Sequence, residues 1–329
     1  MRIIFDVRDV GLGNNGGSLT LVRSANVLSR LGHQVTFIDN GRNQHTWTKL
    51  ECDFIKCEKE SQVPDSDFVI ATGFRSVLKT VRLPKRCGIK LHWIRGWEVW
   101  QGSESWIRDV ILEAKTIKLV NSIGLKKKLK SYGIKSHLVY PGYDIEDLYP
   151  LGIREDSVFI LGGLYVTGKH VKTKRPNWVI NIYRILKQKY PNKIKLWMFG
   201  SSKFGPTEAD YYISNPSMKE KNYFYNNIHV WLSPSKLEGL HMPPAEAMLA
   251  EVPVVGVNEQ LCGTRDYLHH GITGFVADRF SDFVSFVEKL YRDIFLRIKL
   301  GKKARKKILQ IGDRKTNMQK LVSLLESLV

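Results

Sequence analysis

Twice along this chain a short apolar run ends in a glycine-containing loop and gives way to an amphipathic segment, and this alternation restricts the possible folds more than any other feature. Arg2 to Val7 suits a buried strand. It is followed by Gly11-Leu-Gly13-Asn-Asn-Gly16-Gly17, and then Leu19, Leu21, Val22, Ala25 and Leu28 recur near helical spacing from Ser18 to about Leu31. Gly32 is a C-cap before the next strand, Gln34 to Ile38. Further strands are expected at Asp67 to Thr72, Ile89 to Ile94, Lys118 to Asn121 and His137 to Tyr140, with a helix from Ile123 to Tyr132. Asp147-Leu-Tyr-Pro150 reads as a linker, so the first domain is expected to be residues 1–150.

The pattern then restarts. Strands are expected at Ser157 to Leu161, Lys193 to Phe199, Ile228 to Leu232 and Val252 to Gly256, with a helix from Pro176 to about Lys189. Residues 201–226 are polar and aromatic without clear periodicity. Gly263 to Asp266 is read as the start of a helix and Gly271 to Val276 as a turn and short strand; helices at about Phe280 to Asp293, Leu300 to Ile311 and Thr316 to Leu328 close the chain. The expected class is α/β, two Rossmann-like domains built on parallel sheets.

The stretch Ser233-Pro-Ser-Lys-Leu-Glu238-Gly-Leu-His-Met-Pro-Pro-Ala-Glu246-Ala-Met puts one glutamate in a loop and a second in the first turn of a helix that Pro243-Pro244 opens. Helix-start amides and the positive dipole end cradle phosphate. Carboxylates beside such a cradle suit sugar hydroxyls, and together these are what a nucleotide sugar needs. A capped core helix with two solvated glutamates is the plain alternative.

Other candidates lie at strand ends, where ligands of open α/β sheets bind. Strand Ile89 to Ile94 runs into Arg95-Gly-Trp-Glu98-Val-Trp100, so His92, Arg95 and Glu98 are site candidates, with a satisfied core histidine as the alternative for His92. The loop from Lys169 through Lys172, Lys174 and Arg175 places cations between a strand end and a helix start, where Lys174 or a neighbour can neutralise a leaving diphosphate. Gly11, Gly13 and Gly16 fit Gly-x-Gly-x-x-Gly and keep a dinucleotide reading open, although Asp39 follows too soon to demand a ribose role. Asp65 and Asp67 stand at a strand entrance and are read as surface aspartates rather than metal ligands.

Charge adds a requirement. Lys+Arg number 51 against 32 Asp+Glu, a net +19, and one nucleotide sugar does not account for that excess; a polyanionic partner does. The Ile123 to Tyr132 helix, with Lys126, Lys127, Lys128 and Lys130, is a candidate for docking on anionic lipid or on a phosphate backbone. The N-terminus has a charge after one residue and again after a three-residue apolar run, no stretch approaches the ~18 apolar residues of a spanning helix, and Cys52, Cys57, Cys87 and Cys262 lack Cys-x-x-Cys spacing. The expectation is a cytoplasmic chain with reduced thiols, peripheral on a membrane if it meets one.

Taken together, these residues resemble the GT-B glycosyltransferases, specifically the retaining group called family 4. Gly16-Gly17 with its helix and Leu31-Gly32-His33-Gln-Val are similar to the N-terminal signature. Glu238-x7-Glu246 with Pro243-Pro244, Pro253-Val-Val and Gly271-Ile-Thr-Gly274-Phe-Val carries the more specific likeness. The resemblance implies two Rossmann-like domains facing across a cleft. The first, 1–150, would be the acceptor side, the second, 151–313, would bind the nucleotide sugar, and a last helix at about 314–329 would cross back to the first. It implies a UDP- or GDP-sugar donor, no obligatory metal or other cofactor, and retention at the anomeric carbon. By motif, Glu246 would bind ribose hydroxyls and Glu238 would face the donor sugar. The backbone of Gly239, Leu240, His241 and Met242 would contact sugar or phosphate, Gly16 and Gly17 would approach the donor phosphates, and Lys174 would stabilise the departing diphosphate.

Three departures from the family pattern stand out. Gly163 occupies the place of a phosphate-binding arginine, so Arg175, Lys172 or Lys169 is left to substitute; His241 replaces a small residue; and the usual first-domain histidine is either His92 or replaced by the Arg95 to Glu98 cluster. The leading expectation is sugar transfer to a membrane-associated glycolipid or polysaccharide intermediate. The alternatives are a DNA glycosyltransferase acting on a hydroxylated base, a sugar-nucleotide epimerase of the same architecture, and a non-catalytic nucleic-acid-binding module.

Overall fold

A computed structural model describes residues 1–41, 45–99, 102–259 and 261–329, and Lys169 by its backbone alone. Trp100, at the end of the Arg95 cluster, lies outside the described residues. The chain forms two compact units, Met1–Gly142 with Arg314–Val329, and Tyr143–Asp313.

The first unit is built on β1 (Arg2–Asp6), β2 (Gln34–Asp39), β3 (Asp53–Lys56), β4 (Phe68–Ala71), β5 (Ile89–Ile94), β6 (Ile117–Val120) and β7 (His137–Leu138). They pair in parallel in the order β3-β2-β1-β4-β5-β6-β7. Helices α1 (Gly16–Arg30), α2 (Phe74–Thr80), α3 (Glu104–Glu113) and α4 (Ile123–Lys130) connect them. The strands are near-continuously apolar because a parallel sheet is covered on both faces. Side chains of β1, β2, β4 and β5 share one core with Leu21, Val22, Ala25 and Leu28 of α1.

The second unit comprises β8 (Phe159–Tyr165), α5 (Val171–Lys174), α6 (Pro176–Lys189), β9 (Ile194–Gly200), β10 (Tyr211–Ser214), α7 (Met218–Asn227), β11 (Val230–Ser233), α8 (Met242–Leu249), β12 (Val254–Val257), β13 (Gly274–Ala277), α9 (Phe280–Arg292) and α10 (Ile294–Ile311). Its sheet is also parallel, in the order β10-β9-β8-β11-β12-β13. The last helix, α11 (Arg314–Glu326), buries Met318, Leu321 and Leu325 in the core of the first unit.

The order of each sheet reverses at one place, between β1 and β4 in the first and between β8 and β11 in the second. The loops leaving adjacent strands at a reversal diverge to opposite faces and open a crevice. That geometry selects the Gly11–Gly17 loop and Gly73 in one unit, and the basic loop after β8 with the glutamate loop after β11 in the other.

Strand β3 and helices α2 and α3 are not expected from the sequence, and three further segments depart from its reading. Residues 201–226 hold β10 and α7, and α7 begins with a reciprocal cap in which the Ser217 hydroxyl accepts from Glu220 N while the Glu220 carboxylate accepts from Ser217 N. Gly263–Asp266 is a single 3-10 turn and continues into no helix. The Asp147–Pro150 stretch is not a free linker: Tyr149 N donates to Asn222 Oδ1 at 3.1 Å, Tyr149 O accepts from Asn226 at 2.9 Å, and Leu148 is fully buried.

Candidate active site

In the second unit the reversal brings Lys174 and Glu238 together. Lys174 is the last residue of α5; Arg175 follows in the left-handed region (φ 50°, ψ 50°), and Pro176 starts α6, so the lysine is held where one helix stops and another begins. Its ammonium donates to Glu238 Oε1. The glutamate loop is tied down from the other side by Glu238 N donating to Leu261 O at 3.0 Å. Gly263 packs so tightly that a Cβ there would stand 2.0 Å from Gly239 O, so a side chain at 263 would displace the loop.

His241 completes the cluster. Its Nε2 is 3.3 Å from Glu238 Oε1, and its Nδ1 is 3.3 Å from Ser233 Oγ. The backbone stands in the left-handed region at φ 60°, ψ 78°, and the carbonyl accepts from Tyr267 Oη at 2.6 Å. Burial drives the His241 pKa down to about 4, so the ring is neutral near pH 7. A neutral ring fits these contacts as a tautomer that donates from Nε2 to Glu238 and accepts at Nδ1 from the Ser233 hydroxyl. Burial opposes ionisation of Glu238, but His241, Lys174 and Ser235 outweigh it and hold the carboxyl below the ordinary range. Glu238 is thus a carboxylate with one oxygen committed inward. The neighbouring Cys262 thiol is pushed up to about 12 by burial and is no nucleophile.

Glu246 lies in α8 and is buried, with Tyr225 Oη donating to Oε2 at 2.9 Å and Lys221 Nζ 3.1 Å from the same oxygen. Both partners come from α7, which the sequence reading passed over; Ser217-x-x-Glu220 was the signal that could have found it.

The remaining candidates separate. Arg175 pairs with Glu259 Oε1 at 3.1 Å and its guanidinium lies 4.7 Å from the Trp178 ring centre. Lys172 is exposed, and the side chain of Lys169 is outside the described residues. Gly163 points at α6: a Cβ there would meet Val179 at 2.8 Å, so this position faces the core rather than the crevice. Gly239, Leu240 and Met242 line the entry to α8. A cavity of about 140 Å³ lined by Phe159, His229, Arg292 and Arg297 lies by the opposite, N-terminal ends of β8 and β11.

In the first unit the loop after β5 closes over two helix starts. Arg95 Nη1 donates to Gly17 O at 2.6 Å, and Glu98 Oε2 accepts from Phe74 N at 3.4 Å. Gly16 opens α1, with Asn15 as its N-cap. His92 is fully buried in β5, edge-on to Phe74 with ring centres 5.4 Å apart, and neither ring nitrogen has a hydrogen-bond partner among the described residues. Burial, with Lys118 and Arg95 nearby, drives its pKa down to about 3. Among the described residues no group of three or more His, Cys, Asp and Glu is arranged to hold a metal ion.

Residues 164–307, most of the second unit, match the family model described as glycosyl transferases group 1. This segment is a glycosyl transferases group 1 domain. The chain is 32% identical over 162 residues to the capsular polysaccharide biosynthesis glycosyltransferase CapM of Staphylococcus aureus, a match spanning 46% of this chain and 41% of that protein. Its fold is similar to that of Anabaena Alr3699/HepE, solved in complex with UDP-glucose, at TM-score 0.79 and 14% identity, covering 99% of this chain and 100% of that one. It is likewise similar to sucrose-phosphate synthase of Thermosynechococcus elongatus, at TM-score 0.77 and 13% identity, covering 100% and 99%. The fold is GT-B, with the group 1 domain as its second Rossmann-like unit and α11 packed on the first.

Proposed function

We propose that this chain is a retaining glycosyltransferase that moves a sugar from a nucleoside diphosphate to the hydroxyl of a membrane-associated glycolipid or polysaccharide intermediate. The observation that carries this reading is the Lys174–Glu238–His241 cluster in the crevice between β8 and β11, with Glu246 on the adjoining helix. In the transfer, the bond from the anomeric carbon to the diphosphate oxygen breaks and its electron pair leaves with the diphosphate. The acceptor oxygen bonds to the same face of that carbon and passes its proton to the departing diphosphate oxygen. The developing charge on the diphosphate needs preorganised positive charge, which Lys174 and the amides entering α8 supply. Glu238, oriented by Lys174 and His241, presents its other oxygen to the sugar hydroxyls. Glu246 takes the ribose hydroxyls, with Lys221 and Tyr225 holding its carboxylate meanwhile. A UDP-sugar is the donor that the HepE complex favours, and the similarity to CapM, a glycosyltransferase of capsular polysaccharide biosynthesis, favours a polysaccharide or lipid-linked acceptor.

The test is a thermal-shift screen with UDP-, GDP-, ADP- and CMP-sugars, since a ligand at a hundred times its Kd stabilises by about 2.7 kcal/mol. One class, expected to be UDP, raises the melting temperature. The Glu238→Gln variant keeps an acceptor for Lys174 and is expected to fold yet transfer no sugar. Turnover by that variant would remove the role given to Glu238, and a sugar nucleotide converted without acceptor would make the chain an epimerase.

A further inference from the structure

Helix α10 carries a surface that sugar transfer leaves unused. Its sequence, Ile294-Phe-Leu-Arg-Ile-Lys-Leu-Gly-Lys-Lys-Ala-Arg-Lys-Lys-Ile-Leu-Gln-Ile311, contains no acidic residue. The inward side is fixed by Leu300, Gly301, Ala304 and Ile308, all buried. With that side inward, the 3.6-residue period turns Phe295, Ile298, Lys299, Lys302, Lys306 and Leu309 to one outward arc. Phe295 is 83% exposed, Ile298 46% and Leu309 41%. On a helical projection these three apolar side chains form one edge of the arc, with Lys302 set among them, and Lys299, Lys303 and Lys306 form the other. The arc runs about 21 Å along the helix at 1.5 Å per residue.

The two kinds of cation on this helix behave differently. Arg297 and Arg305 turn inward, to Asp156 and to the carbonyl of Leu249 in α8. Lys299, Lys302, Lys303 and Lys306 have no ion pair or hydrogen bond among the described residues. Unneutralised lysines beside an exposed phenylalanine narrow the choice of partner. A phosphate backbone takes the lysines but gives the apolar edge nothing, whereas a lipid interface takes both, ammonium groups at the headgroup phosphates and apolar side chains at the acyl boundary.

We propose that α10 is an interfacial docking helix that seats this chain on an anionic phospholipid surface. It is better suited than α4, the basic helix singled out in the sequence. There Lys128 is committed to Glu104 at 2.6 Å and stacks over Trp97 and Tyr132, and Ile123 alone among the apolar side chains of α4 is exposed. No helix among the described residues is long and apolar enough to cross a membrane, so docking here is by one helix face. Through Arg305 the docked face is joined to α8, the helix of Glu246.

The proposal goes beyond sugar transfer and is tested without a donor. The full chain is sedimented with vesicles of phosphatidylglycerol and phosphatidylcholine in equal parts, and with phosphatidylcholine alone. Binding to the first and not the second is expected. Lys302→Gln with Lys306→Gln should weaken it about thirtyfold. Phe295→Ser should weaken it roughly tenfold, with an unchanged melting temperature because the ring is exposed. Lys126→Gln with Lys127→Gln in α4 should change it little. Variants of α10 that partition like the parent overturn the proposal. So does binding to duplex DNA that the lysine pair abolishes and Phe295→Ser leaves intact, with no vesicle binding alongside. A chain that binds vesicles but no nucleotide sugar would refute the transferase reading and leave this one standing.

Discussion

His241 stands where the backbone asks for glycine. A left-handed φ costs a residue with a Cβ about 1–2 kcal/mol, and the loop bears that cost because the ring is held by Ser233 and Glu238 and the carbonyl by Tyr267. Replacing the histidine separates the two contributions. His241→Gly and His241→Ala both lose the ring, but only alanine keeps the strain. The alanine variant is therefore expected to be less stable than the glycine variant by about 1 kcal/mol in urea unfolding. Equal midpoints for the two would mean that the loop relaxes out of the left-handed region once the ring is gone. On the transfer reading, both variants also free Glu238 from its Nε2 partner and lower turnover more than they weaken donor binding.

At the scale of elements, α10 and α8 are held together through a glycine. A Cβ on Gly301 would stand 2.1 Å from the carbonyl oxygen of Glu251, just past the end of α8. Helix propensity favours alanine over glycine by about 1 kcal/mol, but overpacking against backbone costs typically 1–3 kcal/mol. Gly301→Ala is expected to lower the urea midpoint of the second unit; a rise would mean that the helices part without penalty. Contacts of this kind explain what was readable in the sequence and what was not. The central strands were legible because β1, β4, β5, β8 and β11 are covered on both faces and so are mostly apolar. Edge strands β3 and β10 were not, since Asp53–Lys56 and Tyr211–Ser214 are mostly half-buried or exposed and carry no such run. Helix α7 has many polar residues, among them buried Asn222 and Asn226, which blurs its period. Its partnership with Glu246 through Lys221 and Tyr225 is a tertiary contact that no local pattern announces. By contrast, the proximity of Lys174 to Glu238 followed from the strand order, because both loops leave strands at the same reversal.

Across the whole molecule, the three buried histidines are the most strongly shifted of the histidines and contribute most to the response to mild acid. Burial brings His92 and His229 down to about 3 and His241 to about 4, against an ordinary value of 6.5. Between pH 6.5 and those values the unfolded chain takes up protons that the native chain refuses. Stability is therefore fully present above 6.5 and falls as the pH drops through this window, by up to about 1.4 kcal/mol per pH unit for each histidine. The three are divided between the units: His92 belongs to the first, His229 and His241 to the second. His92 also has no hydrogen bond to lose among the described residues, so His92→Leu fills a similar space and removes a polar ring from an apolar site at little cost. That variant should be no less stable than the parent at pH 7. In calorimetric scans from pH 7.5 to 5 it should flatten the fall of the first unit's transition and leave the second unit's slope unchanged. An unflattened first transition would mean that the His92 ring takes up a proton in the native state. A ring kept neutral inside a central strand, with no hydrogen-bond partner among the described residues, is costly to stability, and loss of transfer in the same variant would identify what that cost supports.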